Sequence, residues 1–158
     1  MSRMPITGAG VQRLRDELNN LKTKERRAIS QALLEARAHG DIRENAEFHA
    51  AKEKQSFVEG RIAAIESSLA NAQIIEPASL NAQGKVVFGA TVELVNVETD
   101  EEVRYQIVGD LETDVKAGRI SISSPIARAL IGKEEGDTVT VMAPGGESEY
   151  EILSVAYV

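Results

Sequence analysis

In the stretch HGDIRENAEFHAAKEK, from His39 to Lys54, the carboxylates of Asp41 and Glu44 stand three residues apart. If a helix begins there, both fall on its first turn and point outward from its end. Paired carboxylates are hard oxygen donors. Mg²⁺ typically uses one or two of them and fills the rest of its shell with water and substrate phosphates, so a bare pair is half of a metal site. The same spacing fits a capping box, in which Asp41 accepts from the backbone N–H near Glu44 and Glu44 reaches back, for about 1 kcal/mol. Both readings suit the spacing. Arg37, Arg43 and Lys52 surround the pair and match phosphate oxygens of a nucleic-acid strand as well as they match a solvated helix face. His39 and His49 fit no helical two-His zinc pattern, and the chain contains no nucleophilic triad, P-loop or dinucleotide fingerprint.

Periodicity supplies an arm to carry that pair. Val11, Leu14, Leu18, Leu21, Ala28 and Ala32 follow steps of three and four, with Glu25 interrupting the seam, and predict one long helix with a narrow apolar stripe. Thr7 is its expected N-cap and Gly40 its expected stop. Roughly 30 residues at about 1.5 Å each would reach about 45 Å. A second stripe through Ala51, Val58, Ile62, Ile65, Leu69 and Ala72 has the same spacing and meets no proline before Pro77. The tight connection at Gly40 predicts that the two helices fold back as a long antiparallel coiled-coil hairpin over 1–76, with its acidic tip near 40–45. Ala28, Ala32, Ala36, Ala46 and Ala50 predict a small-residue seam near that tip.

EPASLNAQG, from Glu76 to Gly84, has no periodicity and marks a linker over 77–84. Beyond it the period becomes two. Lys85–Val97, Glu102–Gly109, Asp137–Met142 and Ser148–Tyr157 read as strands, with turns at Glu98–Glu101 and Pro144–Glu147. Ser124–Gly132 reads as a short helix with Ser124 as N-cap and Pro125 in its first turn. Residues 85–158 thus form a globular antiparallel sheet with one short helix, and the fold class is α+β.

Composition narrows the function. The chain has 158 residues and no Cys, which removes disulfides and thiolate metal sites, and it shows neither a membrane-length apolar run nor a secretory leader. An intracellular, cytoplasmic protein without a membrane partner is expected. The net charge of −7 argues against a broad basic face for naked nucleic acid. It is unevenly divided, with 12 Lys/Arg against 10 Asp/Glu in residues 1–75 and 6 against 15 in 76–158, which suggests two parts working in different electrostatic surroundings.

Joined to SISSPIARALIGKEEGD from Ser121 to Asp137, the segment around Asp41 and Glu44 resembles the bacterial Gre transcript cleavage factors. The resemblance spans essentially the whole chain, and the HAA after Phe48 leans towards the GreA branch. Ile42, Arg43 and Phe48 stand where the family usually has Leu, Lys and Tyr, and the acidic pair is intact. The resemblance implies an FKBP-like globular domain that docks at the rim of the RNA polymerase secondary channel while the coiled coil projects into it. Asp41 and Glu44 would then be the catalytic tip acids that help to hold a weakly bound Mg²⁺ shared with the polymerase. The polymerase would supply the other metal and the rest of a two-metal site that hydrolyses RNA near its nascent 3′ end. It further implies RNA or polymerase contacts from Arg37, Arg43, Asn45 and Lys52, and docking through Ile122, Ser123, Ser124, Pro125, Ile126 and Arg128. Such a factor rescues backtracked polymerase, is not a complete enzyme by itself, and is expected to be monomeric when free.

Two other readings compete. A regulator that only plugs the channel would carry an altered acidic tip. A prolyl isomerase would need an apolar pocket, for which Phe88, Tyr105, Tyr150 and Tyr157 are a poor supply, whereas a coiled-coil adaptor would tolerate loss of the tip acids.

Overall fold

The computed structural model describes residues 3–40 and 45–158. The chain divides into two compact units, the residues up to Val11 together with Ala72–Val158, and Gln12–Asn71. This differs from boundaries at 76 and 85, because the first residues and the stretch after residue 71 lie with the sheet.

Strand β1 (Met4–Thr7) leads into helix α1 (Gly8–Asn20), a π-helical turn at Leu21–Glu25, and helix α2 (Arg26–Arg37). The expected cap is present, since the Gly10 N–H donates to Thr7 Oγ1 at 3.0 Å. Helix α2 ends three residues before Gly40, whose φ of +120° is the left-handed conformation that favours glycine. The π-turn accounts for a departure from the expected stripe. It takes one extra residue into the helix, and Thr23 Oγ1 donates back to the Asn19 carbonyl at 2.7 Å within it. Beyond the turn the buried face is Ile29, half-buried Leu33 and Ala36, while Ala28 and Ala32 are exposed.

Helix α3 (Ala46–Ala70) buries Phe48, Ala51, Val58, Ile62, Ile65 and Ser68, much as its sequence stripe predicts, and packs against α2. The two run in opposite directions, as the cross-helix ion pairs show. Arg26 grips Glu59 with two bonds of 2.9 and 2.7 Å, Arg61 grips Glu17 at 2.6 and 2.8 Å, and Lys22 meets Glu66 at 2.8 Å. Glu25, which interrupts the apolar seam, faces Lys54 at 3.6 Å. The anticipated alanine seam is not formed as such. Of its five members only Ala36 is buried, and Phe48 provides the bulk instead.

In the other unit, β1 pairs in parallel with β2 (Ala72–Ile75), Ile6 opposite Ile74. A five-stranded sheet is built from β3 (Thr91–Asn96), β4 (Glu102–Val108), β5 (Arg119–Ser121), β6 (Thr138–Ala143) and β7 (Gly146–Ala156), in the order β5-β4-β3-β7-β6. It is mixed rather than purely antiparallel, because β5 runs parallel to β4. Lys85–Val97 is strand only from Thr91, and Val86 instead exchanges backbone bonds with Gly132 and Lys133. The short helix α4 (Pro125–Leu130) packs on β6, and its Ala127 and Leu130 close a core with Val92, Leu94, Ile107, Ile120, Val141 and Ile152. The N-terminal strand is tied to this unit by a buried carboxylate. Glu112 accepts from the Thr7 N–H at 3.1 Å, from Thr7 Oγ1 and from the Gly109 N–H at 2.8 Å. Gly109 is required there, since a Cβ would lie 2.7 Å from the Pro5 carbonyl oxygen.

Candidate functional sites

Asp41, Arg43 and Glu44 lie outside the described residues, but the helix ends on either side of them are described. Asn45 is the N-cap of α3. Its φ and ψ of −87° and 98° are extended, and its side-chain oxygen accepts from the Phe48 N–H at 3.1 Å. The other end of the same amide donates to the Ala36 carbonyl in the last turn of α2. One side chain therefore satisfies an orphan donor of one helix and a carbonyl of the other. Asn45 is thus the residue whose side chain caps the first turn of α3.

Phe48 organises the neighbouring charges. Only 8% exposed, it has the Arg37 guanidinium 6.0 Å from its ring centroid and the Lys52 ammonium 5.9 Å away. Both distances suit cation–π attraction. His49 meets the same ring edge-on, with centroids 6.0 Å apart. The structure thus brings together three of the anticipated contact residues, Arg37, Asn45 and Lys52, around an aromatic side chain that sequence reasoning treated only as a substitution. The signal was available, because Phe48 is the one large apolar residue between Leu34 and Phe57 with helical spacing to Ala51.

The second group of anticipated residues gathers where β5 passes into α4. Ser124 caps α4, its hydroxyl accepting from the Ala127 N–H at 3.3 Å and donating to the Ser121 carbonyl at 2.7 Å. Ser123, Pro125 and Arg128 are exposed, whereas Ile122 and Ile126 are half-buried against the sheet core. Asp110, from the 3₁₀ turn Asp110–Glu112 after β4, accepts from the Ser121 and Ser123 hydroxyls. The bond from Ser121, and then that from Ser123, holds its carboxyl below the usual aspartate range. No local pattern marks Asp110, because its serine partners lie 11 and 13 positions away.

Among the described residues no helix is long and apolar enough to cross a membrane. The description "Transcription elongation factor, N-terminal" matches residues 4–74, and "Transcription elongation factor, GreA/GreB, C-term" matches residues 81–157. Transcription elongation factor GreA of Alkalilimnicola ehrlichii is 64% identical over 157 residues, covering 99% of both chains. The protein of the same name from Thioalkalivibrio sulfidiphilus is 61% identical over the full length of both. Among solved structures, the transcription factor Gfh1 aligns over 98% of this chain and 99% of its own at 28% identity, with a TM-score of 0.47. Two matched halves in the right order and full-length identity above 60% place the acidic segment and the Ser-Pro helix in one known context: the chain belongs to the GreA/GreB family of transcription elongation factors.

Proposed function

We propose that this chain rescues backtracked bacterial RNA polymerase by stimulating the polymerase's own cleavage of the nascent RNA near its 3′ end. The observation that carries the reading is the intact pair Asp41 and Glu44 between two long helices whose junction is already capped by Asn45. The helical unit acts as an antiparallel coiled-coil hairpin, a reading supported by its heptad-like stripes and oppositely running ion pairs. It enters the secondary channel, while the sheet unit, of FKBP-like type, docks at the rim through Ile122–Arg128.

Asp41 and Glu44 are the residues that would hold Mg²⁺ jointly with the polymerase, and two carboxylates without thiolate partners are a donor set suited to that ion. The ion, when bound, supplies Lewis-acid stabilisation of the attacking and leaving oxygens. The carboxylates would also accept a hydrogen bond from the attacking water, fixing its direction. Arg37 and Lys52, gathered on Phe48, lie close enough in sequence to pair with RNA phosphate oxygens once the tip is delivered. The protein itself is a donor of groups rather than a complete active site.

The test adds the protein to stalled, backtracked elongation complexes with Mg²⁺ and measures release of short 3′-terminal RNA fragments. Asp41→Ala or Glu44→Ala is expected to lower stimulated cleavage by roughly a hundredfold, with polymerase affinity within about twofold of wild type. Equal cleavage by wild type and both variants would sink the mechanism, and lost binding would return the pair to a structural role.

A further inference from the structure

Three serines, Ser121, Ser123 and Ser124, crowd the turn between β5 and α4, and the hydroxyls of such a turn can bond the nearby backbone or water. Here each is committed. Ser124 caps the helix, the Ser123 N–H donates to Ser121 Oγ at 3.1 Å, and the Ser121 and Ser123 hydroxyls, 2.7 Å apart, converge on a single oxygen, Asp110 Oδ1. Ser123 reaches that oxygen at 2.8 Å. Only Gly109 separates Asp110 from the end of β4, and β4 is the neighbour of β5, so the carboxylate staples the exits of two adjacent strands. The backbone agrees, with the Ile122 N–H donating to the Val108 carbonyl at 2.8 Å.

Asp110 is exposed, so the staple buries little and adds little to global stability. Its effect is local. It holds one conformation of the turn that presents Ser123, Pro125 and Ile126, and an ordered surface loses less conformational entropy when it binds. We propose that Asp110 is a positioning residue for docking, which sets the shape of the 121–126 turn without itself touching the polymerase. This rests on the reading of Ile122–Arg128 as the docking segment.

The experiment titrates full-length protein against backtracked complexes and separates the half-saturating concentration from the maximal cleavage rate. Asp110→Ala is expected to raise the half-saturating concentration about tenfold at an unchanged maximum. Asp110→Asn, which keeps an acceptor oxygen for the serines, should return to within about threefold of wild type. Failure of Asp110→Asn equal to that of Asp110→Ala would mean that the charge touches the partner, and would overturn positioning. So would a wild-type titration by Asp110→Ala, or a fall in the maximum alone. Ile126→Asp separates the two layers. If it loses binding while Asp110→Ala does not, docking stands and positioning falls; if it too binds normally, both fall. Should Asp110→Ala melt much earlier than wild type, Ser123→Ala, which removes one hydroxyl, must raise the half-saturating concentration in the same direction, and no rise refutes the role.

Discussion

Asn45 joins two helix ends with a four-atom amide, and the cost of losing it is correspondingly local. Replacing it by Ala removes the acceptor of the Phe48 N–H and leaves the Ala36 carbonyl with the His39 N–H as its donor. The expected loss is about 1 kcal/mol for the cap, read as a lower midpoint in denaturant, with fraying confined to the amides at the start of α3 in hydrogen exchange. Asp is the informative control, since it keeps the cap acceptor but cannot donate to Ala36. Asp110 offers a second residue-scale test. Its carboxyl titrates below the ordinary value of about 3.9. A depressed folded pKa contributes stability that is present above the unfolded value and lost as pH falls through the folded one. The 121–124 turn is therefore expected to keep its amide chemical shifts down to pH values below the usual carboxylate range. Ser121→Ala, which removes the larger cause, should move the Asp110 titration upward.

At the scale of the element, the π-turn at Leu21–Glu25 decides which residues of α2 face α3. It makes a prediction opposite to a regular heptad count. Ile29→Ala should cost about 2–4 kcal/mol, since Ile29 is only 3% exposed in the helix interface. Ala28→Gln and Ala32→Gln, at exposed positions, should stay within about 0.5 kcal/mol of wild type. Thermal melting followed by circular dichroism checks all three, and a reversed order would mean that the helix is regular through residue 25. The cross-helix ion pairs serve direction more than strength. Exposed pairs such as Lys22 with Glu66 contribute about 0–1 kcal/mol each, and their matching charges suit the antiparallel register.

For the whole molecule, Glu112 carries a polar connection of long range, tying Thr7 to the sheet unit across 105 positions. Its side chain is buried, so truncation leaves two backbone N–H groups and a hydroxyl without this acceptor. Glu112→Ala is expected to destabilise the sheet unit by about 3 kcal/mol, with early loss of hydrogen-exchange protection in β1 and β2. Glu112→Gln, which retains one acceptor oxygen, should recover part of that. Protection of β1 equal to wild type in the alanine variant would show that the strand is held by the β2 ladder alone.

Much of this protein was legible in its residues. The stripe of α3, the first stripe as far as Leu21, the Thr7 and Ser124 caps, the main strands and the α+β class followed from short-range rules, because periodicity, caps and turns are written within a few residues of where they act. Family membership and the Ser-Pro helix were also recoverable, since residue type and order across both halves carried the resemblance. Tertiary structure decided what depends on partners distant in sequence. Whether Ala28 or Ile29 faces inward turns on one extra residue in a helical turn, which the α-to-π energy difference does not advertise locally. The short strands β1, β2 and β5 exist because a neighbouring edge accepts their ladders, and three or four residues lack a period of their own. Asn45 ties α3 to α2 because the last turn of α2 lies within reach of its amide, and Asp110 orders the serine turn because β4 and β5 are neighbours. Local chemistry nominated Asp41 and Glu44, whereas the bond from Asn45 to the Ala36 carbonyl was decided by tertiary structure, because its two ends sit on different helices.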